Sequence, residues 1–199
     1  MSLNVSGETE QVKVIGVEDG GFPALRPPGS RHGKALLVCV QMDGPWIEAV
    51  QIRTITVDGT DATSRLLEML KELTFDAILL GGISFAGFNL IDPCKVYAAV
   101  NKPVIVISKR RPDNVAVKRA LVCHFEDWAA RWEIIEKLEG GIHEVLSMEG
   151  EPPIYIEVVG AKVSWAQKLI RNLSTRCRIP EPIRVARFIA RGLTRGLQY

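Results

Sequence analysis

The chain has 199 residues, 47% hydrophobic and 24% charged, with a formal net charge of +2. That is the balance of one globular domain spanning 1–199 with a full hydrophobic core. No stretch approaches the ~18 to 20 uncharged apolar residues of a membrane span. The polar opening MSLNVSGETE lacks the apolar centre of a secretory leader and reads as a disordered tail over 1–10. These features exclude a membrane-spanning helix and favour a cytoplasmic protein without a membrane partner. Cys39, Cys94, Cys123 and Cys177 are widely spaced and form no CxxC pair. Reduced, mostly buried thiols are expected rather than a zinc cluster.

In chain order, VKVIGV (12–17) predicts a buried strand closed by Glu18, Asp19 and a Gly20-Gly21 turn. A loop rich in Pro, Gly and Arg (22–34) follows and is read as mobile. ALLVCVQM (35–42) and the alternating WIEAVQIRTITV (46–57) are joined by Asp43-Gly44-Pro45, which makes them an antiparallel hairpin. The period then changes. Leu66, Leu67, Leu70 and Leu73 predict a helix over 63–73, with Asp61 or Thr63 as its cap. AILLGG (77–82) and PVIVIS (103–108) are all-apolar strands of the doubly buried kind, separated by a helix over 92–100. A helical region spans about 115–138, and IYIEVV (154–159) is a further strand, placed at an edge. The remainder is helical, interrupted near Pro180 and Pro182.

A meander of three strands followed by alternating helix and strand predicts an α/β fold with a mixed five-stranded sheet. Its order is 3-2-1-4-5, with helices on both faces and a C-terminal strand and helices added. In such a sheet, ligands gather at the carboxyl ends of strands one and four. Glu18, Asp19 and the Gly81-Gly82-Ile83-Ser84 turn would meet there. Positive charge gathers late: from Lys162 to Arg195 there are nine basic residues and one acid, Glu181. A local basic surface matters even when the total charge is near zero.

The blocks GVEDGGF (16–22), VDGTDAT (57–63), GGISFAGFN (81–89), PVIVISK (103–109) and CRIPEPIRVAR (177–187) occur in an order and spacing that resembles the endonuclease V family. That family has the ribonuclease H-like fold. The chain resembles more closely a related archaeal family termed domain of unknown function ninety-nine. The resemblance implies a Mg²⁺-dependent phosphodiesterase whose carboxylates, at the ends of strands one and four, hold the metal. Carried over by position, the strand-one Asp falls on Glu18, with Asp19 beside it. The Glu after strand three falls at or near Arg65, the strand-four Asp on Gly81 and the late His on Ala161. One carboxylate is kept, longer by a methylene, and three groups are lost. The lesion-probing loop of that family corresponds to Thr56-Val57-Asp58-Gly59.

Each residue so marked also has a plain structural reading. Asp19-Gly20-Gly21 is suited to closing a turn, and Asp58 and Asp61 to a turn and an N-cap. Ser84, Asn89 and Asp92 suit a ligand or a helix cap. Lys109, Arg110 and Arg111 suit a phosphate or a solvated loop. His32, His124 and His143 fall in no ligand-like spacing. Arg184, Arg187, Arg191 and Arg195 form one stripe on a helix, with Val185, Ile189 and Leu193 on another face. The sequence thus reads as an endonuclease V-like domain that has lost the standard catalytic carboxylates and expects no cofactor. It would bind DNA or RNA through Lys109, Arg110, Arg184, Arg187, Arg191 and Arg195. The alternatives are a nuclease with a site rebuilt from Glu18, Asp19, Asp58 and Asp61, with Mg²⁺ on Glu18 and Asp61, or a scaffold for a small phosphorylated ligand.

Overall fold

The computed structural model describes residues 12–21, 33–138 and 141–196, the side chains of 195 and 196 excepted. The polar opening, most of the Pro-rich loop and His32 therefore lie outside the described residues. The sheet is built from β1 (Lys13–Asp19), β2 (Lys34–Asp43), β3 (Trp46–Thr56), β4 (Ala77–Leu80), β7 (Val104–Ser108), β8 (His143–Val145) and β9 (Ile154–Val159). A separate short hairpin is formed by β5 (Ser84–Phe85) and β6 (Asn89–Leu90). The seven-stranded sheet has the order β3-β2-β1-β4-β7-β9-β8. Its first five members are the 3-2-1-4-5 order expected from the sequence. β1, β4 and β7 are parallel and the remaining pairs antiparallel. The parallel strands are buried on both faces, which is why they read as unbroken apolar runs.

Three expectations need correction. β9 is not an edge strand, because β8 pairs along its outer side from Val145↔Ile154 to His143↔Ile156. Glu18 and Asp19 belong to β1, paired with Val38 and Leu37, rather than to a turn. Only Cys39 among the four cysteines is buried, and none forms a disulfide. No helix among the described residues is long and apolar enough to cross a membrane.

The helices are α1 (Ala62–Leu70), α2 (Pro93–Val100), α3 (Asn114–His124), α4 (Trp128–Glu136), α5 (Val163–Leu173) and α6 (Glu181–Gly196). The helical region expected over 115–138 is thus two helices, broken at Phe125, the extended C-cap of α3. One face of the sheet packs Ile15, Val17, Leu37, Ile78 and Val106 against Leu66 and Met69 of α1 and Val96 of α2. The opposite face packs Val14, Leu79 and Ile105 against Ala166 and Ile170 of α5, and Val38 and Val40 against Ala186 and Ala190 of α6. The interruption expected near Pro180 and Pro182 falls over 174–180, and Pro182 then sits in the first turn of α6, where a missing N–H would be unpaired anyway.

α6 runs directly along β1. A Cβ placed on Gly16 would lie 2.2 Å from the Pro182 carbonyl carbon, so only glycine lets the helix approach this closely. At the far end the Gly21 N–H donates to Thr194 Oγ1 at 3.1 Å. This contact sets the height of every α6 side chain over the end of β1. Gly16→Ala is expected to lower the unfolding free energy by about 1–3 kcal/mol, the usual cost of overpacking. Urea denaturation of the two proteins checks this, and an unchanged midpoint would show that α6 is not held so tightly.

Candidate active site

Side chains alternate along a strand, so neighbours at the end of β1 point to opposite faces. Glu18 faces α6 and is 4% exposed, where Arg187 Nη2 forms an ion pair with Oε1. Asp19 faces the β5–β6 hairpin, and its Oδ2 accepts the Ala86 N–H at 2.6 Å. The two carboxylates share the end of one strand but do not form a side-by-side pair. They still repel one another, which adds to the effect of burial on Glu18. Burial pushes the Glu18 carboxyl up to about 7, against the pull of Arg187. Burial also raises Asp19, opposed by the Ala86 N–H.

Gly81 explains how Glu18 fits. A Cβ there would lie 2.4 Å from Glu18 Oε1. The glutamate carboxylate, one methylene longer than an aspartate, fills the space that a strand-four side chain would take. The long acid on β1 and the glycine after β4 therefore fit one another sterically.

Cations gather on the same side. Lys109, the residue after β7, has its ammonium pushed below its usual range by burial and then by repulsion from Arg187, Arg191 and Arg178, while Glu18 attracts it. Arg178 was not singled out from sequence. It donates to the carbonyls of Lys109 at 3.3 Å and Pro153 at 2.9 Å, tying the lysine's backbone to the loop before β9. Its Cys-Arg-Ile-Pro surroundings carried no signal beyond charge.

The arginine stripe is divided. Arg184 is held by Glu181 Oε1 at 2.9 Å and stacks over Phe188, and Arg187 is held by Glu18. Arg191 is exposed, as are Arg110 and Arg111, and the side chain of Arg195 lies outside the described residues. Two of the three stripe arginines with described side chains are thus engaged with carboxylates.

The acidic loop after β3 is used for architecture. Asp61 accepts from Thr56 N at 3.0 Å, Thr56 Oγ1 at 3.1 Å and Asn89 Nδ2 at 2.6 Å. Burial alone would raise its carboxyl, but these hydrogen bonds outweigh it and hold it low. Asp61 stands at the N-cap position of α1 yet gives that helix no side-chain cap bond. The capping falls to Asn89, whose Oδ1 accepts the Ala62 N–H at 2.9 Å. Asp58 adopts a left-handed φ of 56° and accepts the Phe88 N–H at 2.9 Å. Buried Arg131 ties the same loop down, donating to the carbonyls of Asp58, Gly59 and Phe88. Asp92 caps α2 through the N–H groups of Cys94 and Lys95, as its position suggested, and Ser84 is exposed. His124 is exposed at the end of α3 and His143 opens β8.

A mixed sheet of this order with a charged site at the β1–β4 switch is the ribonuclease H-like fold of the endonuclease V class. A solved endonuclease V from Ciona intestinalis, in complex with DNA containing an inosine, superposes with a TM-score of 0.61 at 16% identity, covering 96% of this chain and 89% of that one. A solved Archaeoglobus fulgidus protein of unknown function superposes with a TM-score of 0.78 at 28% identity, over 92% and 98% of the two chains. A UPF0215 protein of Methanothermobacter thermautotrophicus is 38% identical over 192 residues, which is 94% of this chain and 89% of the relative. Residues 10–194 match the model of the endonuclease dU family, and the chain belongs to that family.

The fold class implies a divalent metal at this switch, but the donor set here does not fit one. Position 81 offers no ligand, and a guanidinium already neutralises Glu18. Among the described residues no three His, Cys, Asp or Glu side chains are grouped to hold a metal ion. Gly81→Ala is expected to push Glu18 off Arg187 at a cost of about 1–3 kcal/mol. In an Arg187→Gln background the pair is already gone and the same change should cost less, a coupling of roughly 0.5–3 kcal/mol. Additive costs in that double-mutant cycle would disconnect Gly81 from the ion pair.

Proposed function

We propose that this protein is an endonuclease that cuts DNA at deoxyuridine, with Glu18 as general base and Lys109, Arg187 and Arg191 as its phosphate clamp. The observation that carries this reading is a buried glutamate, poised near neutrality, paired with Arg187 and attracted by Lys109, with Arg191 next to that lysine, at the ligand-binding edge of an endonuclease V fold. Family membership supports the reaction class, and the inosine-containing DNA on the Ciona endonuclease V supports a deaminated nucleic acid as substrate.

The chemistry follows from the charges. A backbone phosphate entering the cluster competes with Glu18 for Arg187, because a phosphate accepts a bidentate guanidinium well. Glu18 is then released beside the phosphorus. With Arg187 beside it the carboxyl stands at about 7, and it rises as the guanidinium turns to the phosphate, so the ionised form that acts as general base gains as pH climbs above 7. Its carboxylate takes a proton from water while the water oxygen bonds to phosphorus. The bond from phosphorus to one ester oxygen breaks, and that oxygen takes a proton from Lys109, whose lowered affinity for protons suits it to give one up. The products are a phosphomonoester end and a hydroxyl end. Arg187 and Arg191 stabilise the charge that builds on the equatorial oxygens.

A second reading, binding without cutting, is favoured by the residues aligned with the standard set: Gly81, Arg65 and Ala161 in place of acids and histidine. One assay separates the two. Oligonucleotides bearing a single deoxyuridine are expected to be incised, with Glu18→Gln lowering the rate at least about 10²-fold, within the range of a lost general base, while binding persists. Uncut but bound substrate would select the binding reading. Incision that stops in chelator and returns with Mg²⁺ would restore the metal-dependent alternative.

A further inference from the structure

Glu157 is the one charged residue in β9, and the architecture buries it. Val159 on the same strand face packs against the core, and Asn114 and Val117 of α3 and Ile135 of α4 line the cavity that Glu157 enters, leaving it 7% exposed. No hydrogen bond or ion pair reaches its carboxyl among the described residues, and burial alone pushes it up to about 7. A buried carboxyl without a partner is costly and is usually retained for a ligand.

The carboxyl lines a cavity of about 150 Å³. The walls include Phe88, Leu90, Val117 and Ile135, and the polar groups are Ser84, Ser108 and Asn114. The cavity lies on the sheet face that carries Asp19 and the β5–β6 hairpin, opposite the face where Glu18 meets α6, and the chain joins the two at the ends of β4 and β7. Gly82 in its lining follows Gly81, which packs on Glu18, and Ser108 precedes Lys109. Apolar walls that include one aromatic ring, one unpaired acceptor and a few donors are the features of a pocket for a single extruded base.

Deamination changes a base at one edge. Cytosine presents a bare ring nitrogen beside an amino group, whereas uracil presents a ring N–H beside a carbonyl. The ionised carboxylate accepts from that N–H and meets the bare nitrogen of cytosine lone pair to lone pair, whereas the protonated carboxyl would pair with cytosine instead, so the preference for uracil should grow as pH rises through about 7. The Asn114 amide or a serine hydroxyl is suited to donate to the adjacent carbonyl. We propose that Glu157 is the specificity-determining residue of this protein, reading the ring N–H of a deaminated pyrimidine extruded into this cavity. This inference rests on the reading of the site as a deoxyuridine endonuclease and names the group that recognises the base.

The test uses the full chain and single-stranded oligonucleotides that differ at one nucleotide, deoxyuridine, deoxycytidine or deoxyinosine, with affinities measured at fixed salt and at about pH 8, where Glu157 is largely ionised. The parent is expected to prefer deoxyuridine over deoxycytidine by about tenfold, the worth of one well-made buried hydrogen bond. Glu157→Leu and Glu157→Gln should both bring that ratio close to one, with deoxycytidine affinity and its salt slope unchanged. Glu157→Leu should also raise the melting temperature, since it removes an unpartnered buried carboxyl. Variants that keep the preference, or a parent that binds with no preference, would overturn the role of Glu157 and leave the cleavage site standing. A stronger preference for deoxyinosine would overturn the pyrimidine assignment. A parent that binds no oligonucleotide would remove the nuclease reading itself.

Discussion

The ion pair between Glu18 and Arg187 is the contact on which the functional end of the molecule depends. Two oppositely charged groups taken out of water repay their desolvation only when the geometry is enforced from outside. Here two glycines enforce it. Gly16 lets α6 settle against β1 at Pro182, which brings Arg187 level with Glu18 one strand pair further on. Gly81 leaves room for the carboxylate to reach across. Neither glycine is needed for a turn, and each exists for a close approach.

The surrounding parts hold that geometry from two sides. On one face Arg131 and Asn89 freeze the loop after β3 against the β5–β6 hairpin, the same hairpin whose Ala86 N–H holds Asp19. On the other, Arg178 ties the backbone of Lys109 to the loop before β9. The acids that stand near the site in sequence therefore divide by role. Asp61 accepts from Thr56 and Asn89 and Asp58 from the Phe88 N–H, whereas Glu18 is paired with Arg187 and Asp19 feels Arg187 and Arg191 from the other face. A rigid frame around one buried, near-neutral carboxyl is suited to chemistry that changes its charge.

Much of the fold was legible because strand and helix periods differ cleanly. The all-apolar runs 77–80 and 104–107 could only be central strands, and the Asp43-Gly44 turn fixed the hairpin. The site was legible as a place but not as an arrangement. Alternation along β1 separates Glu18 from Asp19, yet only the register with β2 shows that the strand continues through them. The arginine stripe was correct as a helical pattern, but the partners that take up Arg184 and Arg187 come from Glu181 on the same helix and from a residue 169 positions away. Glu157 was hidden for a related reason. IYIEVV reads as a half-exposed edge strand until β8 pairs outside it and two helices cover its face. A lone charge in an otherwise apolar strand was the available signal.

The most direct test of this account is the titration of the Glu18 carboxyl by carbon-detected magnetic resonance, in the parent and in Arg187→Gln. Glu18 should titrate near 7 in the parent, because burial outweighs the attraction of Arg187. It should titrate higher still once the guanidinium is removed. Since the folded value lies above the unfolded one, stability should fall as pH rises toward and through 7, by roughly 3 kcal/mol for this group. A Glu18 that titrates in the ordinary carboxylate range, and does not respond to the loss of Arg187, would contradict the account.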